Sequence, residues 1–249
     1  MIDFRIFRLA ACVSVALLAA CSVPDAPVEV HDPYEKTNRR IHGFNKGLDT
    51  VVVRPTSTVY GTILPGPVRT GVSNFANYVD TPRFILNDLA QGNVEDAGHN
   101  FARFLLNTVF GLGVLDVASS AGVESRRTGF GETLYVWGVR EGAFIELPVL
   151  GPSNERDAVG QVVDFISNPI SGALDASTEW VPPSANVMDR VGQRYEFRGT
   201  IDSLLYESAD SYAQTRNLYL QNRRFELGQD DEFALDPYAD PYSEDPYDQ

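Results

Sequence analysis

The stretch FLLNTVFGLGVLDVASSA, residues 104–121, contains one charged side chain, Asp116, and two glycines, Gly111 and Gly113. Together with the residues before it, this stretch predicts a helix over 94–110 that is apolar on almost every face. Such a helix has to be buried, either in protein or in lipid. The stretch is shorter than the ~20 apolar residues that a membrane-spanning helix needs, and its glycines interrupt it. It therefore predicts either a core helix followed by a turn or an element that faces lipid.

The segments on both sides of this stretch predict further helices. Apolar residues recur at helical spacing after Asp32, after Thr81 and again over 154–166 and 185–227. Prolines set two of the predicted bounds, because a proline fits only the first turn of a helix. The first helix is expected to end at Arg54-Pro55, and the second is expected to start at Thr81-Pro82.

One segment departs from the helical pattern. Thr133, Tyr135, Trp137 and Val139 alternate with other residues, which predicts a short extended segment or hairpin around 133–147. The sequence as a whole predicts a mainly α protein with at most this one extended patch.

The N-terminus predicts a lipid anchor. Arg5 and Arg8 precede an apolar run that closes with Leu18-Ala19-Ala20-Cys21, a junction typical of bacterial lipoprotein signal peptides. In this interpretation residues 1–20 are removed and Cys21 carries fatty acyl chains, which anchor a protein stably when there are two or more. The alternative is an ordinary secretory signal in which Cys21 is incidental.

The residues after Cys21 predict a linker and a destination. Residues 21–31 contain two prolines and no apolar period, so they favour a flexible tether ahead of the folded domain, 32–228. Ser22 stands where an aspartate would resemble a signal for retention at the inner membrane. Serine there favours sorting to the outer membrane.

The negative net charge of the chain limits which partners it can bind. The formal net charge is −14, which argues against nucleic acid, because phosphates attract a basic surface. Much of the acidity lies in 229–249, where Asp-Pro-Tyr recurs at Asp236, Asp240 and Asp245. Proline and like charges oppose compaction, so this segment predicts a disordered acidic tail. It is either a solvated tail or a docking segment for a basic or aromatic-binding partner.

Signals for catalysis are weak. The three histidines, His31, His42 and His99, are far apart in the sequence and lack metal-ligand spacing. The chain has no nucleophile elbow, no phosphate loop and no dinucleotide fingerprint. The sequence therefore predicts no catalytic residue, no metal and no cofactor. It instead favours an apolar and glycine-rich wall at 110–115, able to bend beside a lipid.

Several blocks, in one order, resemble the MlaA (VacJ) family of outer-membrane lipoproteins. The blocks at the start and in the middle of the domain include Asn38, Arg39, Phe44, Asn45, Asn74 and Phe75. The most specific block runs from Arg103 to Ala118 and includes Phe104, Asn107, Phe110, Gly111, Gly113 and Asp116. The resemblance covers about Asp32 to Asp164, is looser afterwards, and is absent from the tail.

The resemblance implies a single ring-shaped helical body in the inner leaflet of the outer membrane, facing the periplasm, with a central amphipathic channel. Such a body would receive phospholipid that has strayed to the outer leaflet and pass it to a soluble periplasmic carrier of the MlaC type. It would associate with a trimeric porin and preserve lipid asymmetry without covalent chemistry. A non-transporting adaptor that tethers a porin is the alternative, and an acyl hydrolase is a third possibility.

The resemblance also suggests where the channel or its hinge lies, namely at the six residues of the 103–118 block named above. The chain departs from many relatives at one position there. Val114 stands where relatives have a second adjacent glycine after Gly113, which calls into question the flexibility of this loop.

Overall fold

The structure is a computed structural model that describes residues 30–170, 174–175 and 177–229. The predicted signal peptide, Cys21, most of the linker and the acidic tail from Asp230 lie outside these residues. The elements, numbered in chain order, are α1 (Glu35–Leu48), the π-helical turn π1 (Asp49–Val53), α2 (Arg54–Ile63), α3 (Gly66–Ala90), α4 (Val94–Val109), α5 (Val117–Ser120), α6 (Phe130–Val136), β1 (Phe144–Leu147), β2 (Gly151–Asn154), α7 (Glu155–Ser167), α8 (Val181–Glu196), α9 (Arg198–Asp202), the second π-helical turn π2 (Ser203–Glu207) and α10 (Ser211–Glu226). The predicted mainly α fold is confirmed.

The first predicted helix end, at Arg54-Pro55, is wrong. The chain continues from α1 through π1 into α2, and Pro55 lies in the first turn of α2. A proline is tolerated there because the N–H groups of a first turn have no partner within their own helix. The π-helical turn thus joins α1 and α2 into one continuous helical segment.

The predicted helix start at Thr81-Pro82 is also wrong, because both residues lie inside the 25-residue helix α3. Proline cannot donate the usual backbone hydrogen bond in this position. The hydroxyl of Thr81 donates to the carbonyl oxygen of Asn77 at 2.8 Å and supplies a nearby bond instead. Packing of α3 against α4 and α8 holds the helix through the interruption.

The extended segment lies later than predicted. Residues 130–136 form α6, while β1 pairs antiparallel with β2 in the register Phe144 with Asn154 and Leu147 with Gly151. The alternation at 133–139 misled the prediction, because Glu132 caps α6 by accepting the N–H of Gly129 at 2.8 Å. The hairpin prediction is therefore right for 144–147 and wrong for 133–139.

The helices predicted in the second half are present. Helix α7 begins after Asn154, whose side chain accepts the N–H of Asp157 at 2.8 Å, as in an ordinary N-cap. Over 185–227 the chain forms α8, α9, π2 and α10, with breaks at Phe197 and over 208–210.

Many polar side chains are buried in this fold, and many large apolar side chains are exposed. Among the described residues, buried polar and charged side chains outnumber buried apolar ones, and the apolar core of α10 and the hairpin is small, centred on Phe144, Tyr212 and Leu220. Large apolar side chains are exposed on most helices; Leu112 is 83% exposed and Phe165 is 79% exposed. Exposed apolar side chains in such number are typical of a surface that meets another apolar phase.

The packing places α3 at the centre of the described fold. It contacts α4 on one side and α8 on another, and α8 also contacts α2. Helix α6 packs on α7, and the hairpin is held by α1 and α7. In the part of the chain that the structure describes, no helix combines the length and apolar character needed to cross a membrane.

Candidate functional site

A cavity of about 530 Å³ lies between α3, the segment that leads into α6, and α8. This volume is within the ~300–1,000 Å³ range of ligand-binding pockets. Its wall mixes apolar, cationic and acidic side chains. The lining residues are Ala76, Asn77, Asp80, Arg83, Phe84, Arg127, Thr128, Gly129, Glu132, Asn186, Asp189 and Glu226.

The charged side chains on the α3 wall are paired with one another and with neighbours behind the wall. Arg83 contacts Asp164 at 2.8 Å and Asp80 at 3.3 Å, and its guanidinium lies 5.1 Å from the centre of the Phe84 ring. Asp80 also accepts hydrogen bonds from the side chains of Asn168 and Asn186. The charges here are fixed by their neighbours, so this side of the cavity is polar but already satisfied.

A buried ion network supports the opposite side. Arg223 donates to both carboxylate oxygens of Asp157, at 2.7 and 2.9 Å, and to Glu132 at 2.5 Å. Burial raises the pKa of Asp157, but the hydrogen bonds and charge of Arg223 outweigh it and hold the pKa below its ordinary value. Arg223 also contacts Glu226 at 3.2 Å. The network ties α10 to α6 and α7 behind the cavity.

Two charged residues of the wall lack an opposite charge. Arg127 makes no hydrogen bond or ion pair with another described residue, and it is exposed beside the cavity. Asp189 accepts one hydrogen bond from Gln193, at 2.7 Å, and has no ion pair with a described cation. Within the described part of the chain, the cavity therefore offers a positive group, Arg127, and a negative group, Asp189, that have no opposite charge beside them.

The glycine-rich block forms a tight turn between α4 and α5. Leu112 and Gly113 both have positive φ, of 50° and 75°. A methyl group on Gly111 would overlap the carbonyl oxygen of Leu115 and lie 2.9 Å from that of Asn107, so only glycine fits. Val114 has no positive φ, so this valine adds no left-handed backbone strain to the turn.

The base of this turn is polar and well bonded. Asp116 accepts hydrogen bonds from Arg103 at 2.5 Å, from Asn107 at 3.1 Å and from the backbone and hydroxyl of Ser119. Burial raises the pKa of Asp116, but these hydrogen bonds, led by that of Arg103, hold the pKa below its ordinary value. Asn107 also accepts the N–H of Ala118 at 2.9 Å. These hydrogen bonds hold the end of α4 and the start of α5 together.

The tip of the turn is apolar and exposed. Phe110 is 65% exposed and Leu115 is 62% exposed, while Phe104 is half-buried and stacks on Tyr78 with ring centres 5.1 Å apart. The structure thus brings the six predicted channel or hinge residues together. None of the six lines the cavity described above.

Two of the predicted motif residues clamp α1 onto the hairpin. Asn38 is buried, donates to the carbonyl oxygen of Phe144 at 3.0 Å and accepts the N–H of Glu146 at 3.0 Å. Asn45 donates to the carbonyl oxygen of Leu147 at 2.9 Å and accepts the N–H of Val149 at 2.7 Å. In the described sheet β1 pairs only with β2, and these two amide side chains bond backbone groups on its other edge.

The other predicted motif residues have different positions. Arg39 is exposed and pairs with Asp210 at 2.9 Å, which links α1 to α10. Phe44 is 56% exposed on α1. Asn74 donates to the carbonyl oxygen of Val114 at 3.0 Å and so holds the turn against α3, while the Phe75 ring is half-buried near Tyr78.

One arrangement resembles a catalytic triad in its distances. The Ser211 hydroxyl lies 3.0 Å from Nε2 of His42, and Nδ1 of His42 lies 3.5 Å from Glu146. The first turn of α10 is capped by the carboxylate of Asp210, which accepts the N–H of Ala213 at 3.1 Å. A neighbouring carboxylate would repel an oxyanion at this helix start. The contacts therefore favour a structural role in joining α1, β1 and α10.

Sequence reasoning missed the cavity residues. Asp80, Arg83, Arg127 and Asp189 come from three separate segments, and a charged residue in a helical pattern is usually a solvated one. The one local signal was the pairing of Asp80 and Arg83 at i, i+3 across Pro82, within an otherwise weakly charged helix.

Comparisons with known proteins agree with each other. A protein-family model described as MlaA lipoprotein matches residues 30–226. The chain is 33% identical over 202 residues to the intermembrane phospholipid transport system lipoprotein MlaA of Escherichia coli (strain K12), covering 78% of this chain and 77% of that protein. It is 31% identical over 229 residues to the protein of the same name from Haemophilus influenzae (strain ATCC 51907 / DSM 11121 / KW20 / Rd), covering 88% and 89%.

A solved structure also matches the fold of this chain. A solved structure described as the structural basis for maintenance of bacterial outer membrane lipid asymmetry matches with a TM-score of 0.68 and 29% sequence identity. The match covers 79% of this chain and 98% of that chain.

Proposed function

The chain belongs to the MlaA lipoprotein family, and from this premise we propose that it removes misplaced phospholipid from the outer leaflet of a bacterial outer membrane. The lipid passes to a soluble periplasmic carrier, which preserves the asymmetry of the membrane. The body is held in the inner leaflet by acyl chains on Cys21. It forms a ring with an amphipathic channel and works beside a trimeric porin.

The single observation that carries this proposal is the inverted polarity of the described fold. Apolar side chains are exposed on most helices, while the interior holds ion networks and asparagines. The exposed apolar side chains are stabilised by contact with hydrocarbon or another apolar surface, and each buried methylene contributes about 0.8 kcal/mol. A polar interior in such a body supplies a path for groups that cannot enter hydrocarbon.

The cavity supports the transport part of the proposal. A charged headgroup that enters hydrocarbon loses its hydration at a cost of several kcal/mol or more. Phe84 and Ala76 offer an apolar surface in the cavity, and Arg127 and Asp189 offer charged groups in the same lining. A lipid could therefore keep its headgroup on polar side chains while its acyl chains stay in the surrounding membrane.

The turn between α4 and α5 contributes the contact with acyl chains in this proposal. Its apolar tip, which includes Phe110, Leu112 and Leu115, is exposed, while Asp116 and Asn107 fix its base. Gly111 and Gly113 permit the tight backbone path that raises the tip above this base. We infer that the tip borders the entrance to the channel and that its displacement admits lipid.

The experiment that tests the proposal measures phospholipid exposed on the cell surface. Deletion of the gene is expected to raise it, and the wild-type chain is expected to restore the low level. The Cys21→Ala variant and the cavity-filling variant Asn186→Trp are expected to fail. Val187→Trp is the matched control, because Val187 is an exposed neighbour of Asn186 outside the cavity lining.

The same experiment separates the alternatives. A tethering adaptor would still restore surface lipid with Asn186→Trp, and it would co-purify with a porin but without phospholipid. An acyl hydrolase would release fatty acid from the lipid and lose this activity in Ser211→Ala. Full restoration by the unanchored Cys21→Ala variant would contradict the mechanism proposed here.

A further inference from the structure

We propose that the cavity selects a phospholipid whose headgroup carries both a phosphate and a cationic amine, with Arg127 as the phosphate group's partner and Asp189 as the amine's partner. This inference rests on the proposed function, because it names the class of lipid that the same cavity receives. It follows from the charges that remain once the internal ion pairs of the wall are removed.

The positive side of the site is Arg127 with its neighbour Thr128. The Arg127 guanidinium borders the cavity and makes no hydrogen bond or ion pair with a described residue, in contrast to Arg83, which two carboxylates hold. A guanidinium binds phosphate oxygens through two parallel N–H donors. The Thr128 hydroxyl accepts a hydrogen bond from Gln91 at 2.8 Å, and its own proton remains available to a phosphate oxygen.

The negative side of the site is Asp189 with Asn186 one helical turn before it on α8. Both line the cavity, and the i, i+3 spacing puts them on one face. Asp189 accepts only the hydrogen bond from Gln193 and has no described cation near enough for an ion pair. A primary ammonium has three donors, which suits the carboxylate of Asp189 together with the amide oxygen of Asn186.

The other charges, in the wall and directly behind it, favour the amine further. Arg83 is shared by Asp80 and Asp164, and Arg223 is shared by Asp157, Glu132 and Glu226. Acids therefore exceed bases around the cavity. A headgroup with phosphate alone would bring a net negative charge into this acidic surrounding, whereas a phosphate with an ammonium brings none.

The test uses the full-length acylated chain, reconstituted into vesicles of equimolar phosphatidylethanolamine and phosphatidylglycerol with matched acyl chains. After extraction, the lipid that remains bound is identified by mass spectrometry. The wild-type chain is expected to hold phosphatidylethanolamine in about tenfold excess, which corresponds to ~1.4 kcal/mol. Asp189→Asn is expected to bring the ratio close to one without loss of total lipid, and Arg127→Gln is expected to reduce both lipids.

A control variant and two contrary results complete this test. Glu207→Gln removes an exposed acid that does not line the cavity and should leave the ratio unchanged, and circular dichroism checks that each variant folds. Equal binding of the two lipids by the wild-type chain, or an unchanged ratio in Asp189→Asn, overturns this inference alone. Absence of any bound phospholipid in the wild-type chain instead overturns the proposed function.

Discussion

Arg194 donates two parallel hydrogen bonds to the carboxylate of Asp49, at 2.8 and 2.9 Å, and so fixes α8 to the π turn between α1 and α2. Both side chains are buried. Arg194 also contacts Asp202 at 2.6 Å, and the Tyr206 hydroxyl donates to Asp49 at 2.7 Å. The two π-helical turns of the fold therefore meet at one ion cluster.

Replacement of Arg194 with Met is expected to lower the free energy of unfolding by about 3–5 kcal/mol, because it leaves the Asp49 carboxylate buried without its counter-charge. Urea unfolding in detergent micelles, followed by circular dichroism, measures this change. Arg190→Met is the matched control, since Arg190 lies on the same helix but is exposed. An equal loss in both variants would show that the pair contributes no more than an ordinary surface arginine.

Acid is expected to destabilise the fold through its paired carboxylates. Burial raises the pKa of Asp49, but the hydrogen bonds from Arg194 and Tyr206 outweigh it and leave the pKa below its ordinary value; the pKa values of Asp116 and Asp157 are lowered in the same way. A lowered pKa in the folded state stabilises the protein above the unfolded value of about 4, and this stabilisation is lost as the pH falls further. The contribution of these three carboxylates to the free energy of unfolding should thus be flat from pH 7 to 5 and fall below pH 4.

The matched variant for this pH dependence is Asp116→Asn, which cannot titrate at that position. Its stability should be lower than wild type at pH 7 and should fall less between pH 4 and pH 3. Parallel curves for the two proteins would mean that Asp116 does not contribute to the acid sensitivity.

Gly111→Ala is expected to disrupt the turn between α4 and α5, because the added methyl group would overlap the carbonyl oxygen of Leu115. A loss of about 1–3 kcal/mol in the free energy of unfolding is expected for such steric overlap in a tightly packed turn. Gly98→Ala is the control: Gly98 lies in α4, and its added methyl would meet nothing within 4 Å. That variant should be as stable as wild type or up to about 1 kcal/mol more stable, because alanine favours the helix.

Val149→Gly is expected to stabilise the hairpin. Val149 has a φ of 69°, a left-handed conformation that costs a β-branched residue about 1–3 kcal/mol, and its N–H is held by Asn45 at 2.7 Å. The gain in the free energy of unfolding should be about 0.5–1 kcal/mol, since glycine also loses more backbone entropy on folding. Leu150→Gly, at an exposed neighbour without positive φ, should not be stabilising.

A disulfide between Gly71→Cys and Val114→Cys is expected to raise surface phospholipid in cells, if displacement of the turn admits lipid as proposed. The two positions are adjacent, because a methyl group on Gly71 would lie 3.1 Å from the Val114 side chain. A reductant should restore the low level within the same culture, and each single cysteine variant serves as its control. Full activity of the oxidised double variant would mean that this turn works without moving.

Most of the helices were predictable from local sequence rules. Asn154 caps α7 as its side chain and position predict. Pro55 and Pro82 misled the prediction for a physical reason: a π turn absorbs one, and the Thr81 hydroxyl compensates for the other within a helix packed on two sides. At 133–139, the cap by Glu132 outweighed an alternating pattern that is typical of a strand.

The candidate site was predictable only in part. The block around Gly111 and Asp116 was found because its glycines and its lone charge are close together in the sequence. The cavity was not, because Arg83, Arg127 and Asp189 approach each other only through the packing of α3 and α8. No local pattern tells a charged residue that faces a cavity from one that faces solvent.

The apolar exterior also bears on how the protein reaches its membrane. A folded body that exposes Leu112, Phe165 and Ile63 to water would aggregate with its own copies during transit. We therefore expect the chain to travel either unfolded or bound to a chaperone, and to finish folding where hydrocarbon covers these side chains. The supply of that chaperone would then limit how much of the protein a cell can deliver. Overproduction should yield aggregates between the two membranes before it yields more protein in the outer membrane.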